Sequence, residues 1–154
     1  MNVFEFLVED HEQIKALLVR IQNTPTKPSE LKRIAFKRLR HALDMHLYLE
    51  EVVFYPAVSV YDESRLKTIA TEENNGIKIL LEQLGERFKT HKNYKSDLEL
   101  LAQKVINHIE EQEGPIFEKA QKLFDPQEAE KLGSEIEEER KLVRSDRKYE
   151  IEVY

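Results

Sequence analysis

The sequence predicts an all-α fold, an up-down four-helix bundle with an additional C-terminal helix. Three observations carry that expectation. Apolar residues recur in alternating steps of three and four along four long segments, the period of a helix with one buried face. Short polar or proline-containing stretches separate those segments. With only 4 glycines and 35% charged residues, the composition suits a compact helical protein better than an all-β fold or a disordered chain.

The first segment runs from about Asn2 to Asn23 with a seam of Leu7, Ile14, Leu18 and Ile21, and His11 falls on the same line. Asn23-Thr-Pro-Thr-Lys-Pro28 ends it, because two prolines cannot continue a helix. Ser29 is placed to cap the next helix, with Glu30 favourable in its first turn. That helix is expected to reach about Tyr61 on a seam of Leu39, Leu43, His46, Glu50, Val53 and Ala57, with a kink near Pro56. The basic run Lys32, Arg33, Lys37, Arg38 and Arg40 lies mostly off the seam and reads as a solvated face.

A third helix is expected over about Glu63 to Lys89, on a seam of Ala70, Asn74, Ile77, Leu81, Leu84 and Phe88. After a polar loop, Ser96 and Glu99 have the spacing of a capping box. The fourth helix carries Leu98, Leu101, Val105, Ile109, Ile116, Ala120 and Leu123, with a bend expected at Gly114-Pro115. Asp125-Pro-Gln-Glu128 then opens a last helix, reaching about Val143 with a kink expected at Gly133. The tail Arg147–Tyr154 alternates apolar and polar residues without a partner strand, and is expected to lie against the bundle or be mobile.

At 154 residues the chain reads as a single domain, 1–154, with helical hairpins over about 2–61 and 63–124 and the C-terminal helix and tail over about 125–154. A formal charge of −6 argues against general nucleic-acid binding, which needs a basic surface. The absence of cysteine excludes disulfides, zinc–thiolate sites and iron–sulphur ligation from within the chain. Met1 leads into an acidic amphipathic segment rather than a secretory signal, and no apolar run approaches the roughly 20 residues of a membrane span. The expected location is the cytoplasm, without a membrane partner.

The halves repeat. Asp10-His11 through Leu18 aligns without gaps on Glu73-Asn74 through Leu81, an offset of 74 − 11 = 63. His46-x-x-x-Glu50-Glu51 aligns on His108-x-x-x-Gln112-Glu113 at 108 − 46 = 62, pairing Tyr55 with Phe117. Two duplicated hairpins closing on each other would bring their polar seam residues to comparable heights in one core.

A single seam histidine is more often a satisfied core residue than a ligand. Here three, His11, His46 and His108, sit on three different helices, with Glu50 one turn from His46 and Glu113 near His108. Burying that many ionisable groups without a partner is costly, and a bound cation offsets the cost. Imidazole and carboxylate without thiolate suit iron, manganese or zinc. His41 falls off the seam and His91 in a loop, so neither joins the candidate set. Tyr55 and Phe117 read as core aromatics.

Asp10-His11, His46-x-x-x-Glu50-Glu51 with Tyr55-Pro56, and His108 with Glu113 and Phe117 resemble the hemerythrin-like, or HHE cation-binding, domain family. Asp125-Pro-Gln-Glu leading to Lys131-Leu-Gly133 is similar to the terminal helix common in its bacterial members. The resemblance implies a four-helix bundle holding a carboxylate-bridged di-iron centre. It also implies roles such as oxygen binding, sensing of oxygen, nitric oxide or iron, or repair of iron–sulphur clusters. By the resemblance, His11 and His46 match the terminal ligands of one iron, Glu50 a bridging carboxylate, His108 a ligand of the other iron, and Glu113 the position of a second bridging carboxylate. The departures fall on that second iron. Asn74 and Lys78 stand where histidines are found in the family, and Gln112 stands where many members have a carboxylate. The expected metal ligands are therefore His11, His46, Glu50, His108 and Glu113, holding two irons, one or none. The alternative is a metal-free bundle serving as a protein-interaction or regulatory module. Oxygen or peroxide chemistry would need an open coordination position and a redox partner that the sequence does not show, so a binding protein is expected rather than an enzyme.

Overall fold

The structure is a computed structural model that describes residues 1–24, 30–61, 66–90 and 94–146. The expectations for Ser29, His91 and the tail from Arg147 lie outside the described residues. Among the described residues the helices are α1 (Val3–Asn23), α2 (Glu30–Leu49), α3 (Tyr55–Tyr61), α4 (Leu66–Thr90), α5 (Lys95–Glu111), α6 (Phe117–Leu123) and α7 (Pro126–Asp146). Two five-residue π-helical turns, π1 (Glu50–Phe54) and π2 (Gln112–Ile116), join α2 to α3 and α5 to α6. No strand occurs among the described residues. The fold is an all-α bundle.

α1 begins with a capping box that the periodicity did not announce. The Glu5 amide donates to Asn2 Oδ1 (2.9 Å), and the Asn2 amide donates to Glu5 Oε1 (3.1 Å). At the other end of α1, Lys32 departs from the solvated face expected of its basic run. Its side chain is buried, and Nζ donates to the carbonyls of Ile21 (2.7 Å) and Thr24 (3.0 Å). The last carbonyls of a helix have no partner within it, and this ammonium from α2 supplies one.

The bends expected at Pro56 and Gly114-Pro115 are replaced by the π turns. A proline has no N–H to donate, and its ring strikes the carbonyl four residues back. Widening the turn relieves both problems: the Tyr55 amide donates to Glu50 O, and the Phe117 amide to Gln112 O. In an ideal α-helix residues five apart point about 140° away from each other. The wider turn instead leaves both Glu50 and Tyr55, and both Gln112 and Phe117, buried. The two turns start 112 − 50 = 62 residues apart, the offset of the sequence repeat.

α5 starts earlier than the Ser96 cap predicts. The chain enters it at Tyr94, whose side chain does not cap the helix but stacks on Phe88 with ring centroids 4.4 Å apart. Burying that ring fixes the entry point and leaves Ser96 inside the first turn. The other predicted cap forms: the Glu128 amide donates to Asp125 Oδ1 (2.8 Å), and α7 follows. α7 is unbroken at Gly133. The missing side chain there admits the chain start instead, since a Cβ would come within 2.2 Å of the Met1 carbonyl oxygen.

α1 packs on α2 and α4 on α5, while α2–α4 and α1–α5 contacts close the bundle. α7 lies chiefly over α1 and also touches α2 and π1. The buried apolar residues form two clusters. One holds Ile14, Leu18, Leu43, Leu47, Ile77, Leu81, Val105 and Ile109, and the other Leu7, Leu49, Phe54, Ala70, Ile116 and Phe117. His11 on α1 and Asn74 on α4 stand between the two clusters along the chain, while His46 on α2 and His108 on α5 lie beside Leu47 and Ile109, the last residues of the first cluster on their helices; all four are buried. The polar intruders on the seams thus form a layer across the core.

Candidate metal centre

Each helix turns its polar seam residue inward for the same reason that it turns in the apolar residues a turn away. His11 lies between buried Leu7 and Ile14, and His46 between buried Leu43 and Leu49. His11, His46, Glu50 and His108 are brought together, each offering one donor atom, and all four atoms lie within 4.8 Å of one another. Their exposures are 0, 1, 0 and 7%. His46 Nε2 pairs with Glu50 Oε1, which also receives His108 Nε2 at 3.1 Å. His11 Nε2 faces His46 Nε2 across 3.1 Å.

What lies behind the rings fixes which nitrogen faces the centre. His11 Nδ1 donates to Glu113 Oε2 (2.7 Å), and His46 Nδ1 donates to Asp10 Oδ2 (3.3 Å). An imidazole that gives its Nδ1 proton to a carboxylate presents the Nε2 lone pair on its other side, the usual support of a metal-binding histidine. Of the five residues singled out in the sequence, four converge. Glu113 stands behind His11 instead, at the ring's outer nitrogen, with its side chain 30% exposed.

The electrostatics follow from burial and these pairings. Burial holds the His11 pKa down, to about 4, helped by the neighbouring His46 charge. Burial opposes the charging of His46 too, but Glu50 and Asp10 outweigh it and raise its pKa to about 9. Burial pushes Glu50 towards its neutral form, and the charges of His46 and His108 overcome this, so its carboxyl stays well below the ordinary range. At neutral pH the cluster without a cation is therefore a buried carboxylate held by a protonated His46. Glu50 Oε2 nevertheless has no hydrogen-bond partner among the described residues. A buried carboxylate oxygen without a donor, next to three imidazole nitrogens, fits a cation: it adds positive charge where acceptors crowd and protons are too few.

The second half of the repeat is built differently. Asn74 is buried, with Nδ2 3.5 Å from Glu51 Oε1 and Oδ1 without a hydrogen-bond partner among the described residues. Lys78 does not aim its charge at the centre unopposed, since Nζ donates to both Glu51 oxygens at 2.7 and 2.9 Å. Gln112 Nε2 donates to the Tyr55 hydroxyl (3.0 Å). Burial drives the Tyr55 hydroxyl pKa upward, and the Glu50 charge reinforces it, so this group stays protonated. Tyr55 was read from the sequence as core filling; its hydroxyl turns out to join the polar layer. The sequence pattern assigns no role to Asp10 or to Arg140, and the structure joins them. Both Asp10 oxygens accept from one Arg140 nitrogen, at 2.7 and 2.9 Å.

A cavity of about 270 Å³ between α4 and α5, lined by Glu73, Ile77, Lys104, Asn107, His108 and Glu111, leads to the His108 side of the cluster. Burial and the adjacent Glu111 raise the pKa of Glu73 at this mouth. No helix among the described residues is long and apolar enough to cross a membrane.

This cluster sits within a segment, residues 2–120, that matches the model of the hemerythrin HHE cation-binding domain. The chain belongs to that family. The HHE fold extends beyond the matched segment: a hemerythrin HHE cation-binding domain-containing protein from Mycobacterium kansasii superposes over 99% of this chain and 93% of its own, with a TM-score of 0.86. Its sequence is 24% identical, so the likeness speaks for the fold alone. The chain is also similar to a DNA nickase of Nostoc sp. (strain PCC 7120), 27% identical over 139 residues. That match takes in 88% of this chain but only 38% of the nickase. An HHE chain is a cation-binding domain, and the cluster of three histidines and Glu50 is where this one could hold a metal ion.

Proposed function

We propose that this HHE domain binds a single iron ion through His11, His46, Glu50 and His108, and uses it to bind or sense a small ligand such as oxygen or nitric oxide. The observation that supports the reading is the convergence of four buried donor atoms within 4.8 Å, two of the three imidazoles being held from behind by carboxylates. Three nitrogens and an oxygen without thiolate suit iron, and manganese or zinc compete for the same set. Iron held this way supplies a redox-active centre that small neutral molecules can approach. The chain's own residues do the rest. Glu113 and Asp10 orient His11 and His46. Glu50 offers its unpaired Oε2, and His46 gives up its Nε2 proton when it acts as a ligand. Leu7, Ile14, Leu43 and Leu49 keep water from the layer above and below.

One ion rather than two follows from the other half. Neutral amides replace imidazole and carboxylate at Asn74 and Gln112, and Lys78 brings a cation already neutralised by Glu51. Glu113, the remaining carboxylate expected for a second ion, is engaged with His11. The chain is proposed to act in the cytoplasm, as a single domain over residues 1–154. No DNA-nicking role is extended to it, because the similarity covers a minor part of the nickase and a charge of −6 works against a phosphate backbone.

Anaerobic loading of the purified chain with ferrous iron, desalting and metal counting test the proposal. One iron per chain, with a ferric charge-transfer band appearing on exposure to air, is expected. Two irons would overturn the single-ion reading. No retained iron and no change in thermal stability would favour a metal-free module and sink the proposal, since a ligand of the native state must stabilise it.

A further inference from the structure

We infer that Arg140, on the C-terminal helix, is a positioning residue for the cation site that acts on His46 through Asp10, coupling the docking of α7 to cation binding. The inference rests on the proposed cation site and goes beyond it, because α7 lies outside the segment 2–120 that matches the family's model.

The path is continuous and becomes more deeply buried towards the centre. Arg140 donates from one nitrogen to both Asp10 oxygens, at 2.7 and 2.9 Å, across 130 residues of sequence. Asp10 Oδ2 accepts from His46 Nδ1 at 3.3 Å, and His46 Nε2 is one of the four converging atoms. The side chains of Arg140, Asp10 and His46 are 18, 10 and 1% exposed. The guanidinium is itself held, over the Phe6 ring at 5.8 Å. One residue earlier, Glu139 accepts from the Tyr48 hydroxyl at 2.7 Å, a second tie of α7 to the bundle, made to α2 and not involving Asp10.

The physical consequence concerns the freedom of Asp10. A carboxylate bound only to an imidazole can rotate about its last bond and take several orientations, and the ring follows it. A charge-assisted contact that engages both oxygens removes that freedom and fixes the ring plane. Without Arg140, Asp10 can swing into the adjoining cavity of about 100 Å³, which His41 and Arg144 also line. His11 has no such dependence: its carboxylate partner, Glu113, comes from π2 within the bundle. Of the two anchored imidazoles, therefore, one is set by the bundle and the other by a helix packed outside it. Linkage is reciprocal, so a cation that needs His46 in place must also favour docked α7.

The test uses the full chain, cobalt(II) as probe, and five variants: Arg140→Met, Arg140→Lys, Asp10→Asn, the double variant of Asp10→Asn with Arg140→Met and, as a control for α7 packing, Glu139→Gln. Affinity is measured by competition with a chromophoric chelator, ring geometry by the cobalt visible bands, and α7 docking by amide hydrogen exchange. Arg140→Met should weaken cobalt binding about tenfold or more and shift the visible bands, as losses behind a metal-bound histidine do. Arg140→Lys should recover part of both changes. Asp10→Asn combined with Arg140→Met should be no worse than Asp10→Asn alone, and Glu139→Gln should stay within about twofold of wild type. Cobalt should slow exchange in α7 of the wild type but not of Arg140→Met. Wild-type bands and affinity in Arg140→Met would overturn the inference. So would an equal loss in Glu139→Gln, which would make α7 packing the cause; should Arg140→Met fail to fold, the lysine and Glu139 variants still decide. A wild type that takes up no cobalt would instead bring down the cation site itself.

Discussion

Replacing His46 with alanine should abolish the thermal stabilisation that a cation confers, whereas Asn74→Ala should leave it nearly intact. His46 Nε2 is one of four donor atoms within 4.8 Å, and Nδ1 of the same ring engages Asp10. Alanine therefore removes a donor, and it takes the imidazole partner from Asp10 while leaving that carboxylate on Arg140. Asn74 offers only a neutral amide, a poor donor to a cation, and its contact to Glu51 at 3.5 Å is weak. A cation present at about a thousand times its dissociation constant stabilises the native state by about 4 kcal/mol. For a chain of this size each kcal/mol moves Tm by about 2–4 °C, so the cation should raise it by about 8–16 °C. The quantity to measure is the difference between melts with and without ferrous iron under anaerobic conditions. Each substitution leaves a cavity that lowers both curves, and the difference largely cancels that cost. The wild-type rise should vanish in His46→Ala and persist within about 2 °C in Asn74→Ala. A rise that survives in His46→Ala, or disappears in Asn74→Ala, would refute the placement of the site on the first half of the repeat.

Restoring ligands to the other half by Asn74→His with Gln112→Glu should raise metal content from one to two ions per chain by elemental analysis; unchanged content would mean that the missing donors are not what limits it. Lys32→Met keeps the stem but withdraws the ammonium from the carbonyls of Ile21 and Thr24, and should cost about 1–3 kcal/mol in urea unfolding. A neutral result would show that those carbonyls find other partners. Two glycine substitutions should differ in sign. Gly133→Ala puts a Cβ against the Met1 and Asn2 backbone and should destabilise by about 1–3 kcal/mol. Gly76→Ala in α4 meets nothing within 4 Å and should stabilise by about 0.5–1 kcal/mol. Matching signs in the same urea titration would contradict the close approach at Gly133.

Much of the molecule was legible because its information is local or periodic. Steps of three and four placed Leu7, His11 and Ile14 on one face, and Leu43, His46 and Glu50 on another, whatever their partners were to be. The offset of 62 between His46 and His108 marked the repeat, and the two π turns fall at the same interval. The prolines announced that the helices could not continue regularly, but periodicity has no term for a turn that widens instead of bending. That is why Tyr55, five residues past Glu50, read as filling and lies in the polar layer. Lys32 was misplaced for a related reason: a helical wheel scores a lysine by its face and cannot see the end of another helix beneath it.

Residue type and spacing are enough to specify the bundle, the polar layer and the candidate donors, because they settle which side chains turn inward. What each donor does depends on how the finished helices pack. Glu113 has the right chemistry for a ligand and lies behind His11, because the approach of π2 to α1 brings it to Nδ1 rather than to the centre. Arg140 reaches Asp10 from 130 residues away, and no local pattern records a contact made by packing one finished helix on another. Which nitrogen of a ring faces the core depends on such contacts, and so does the chemistry the ring can perform.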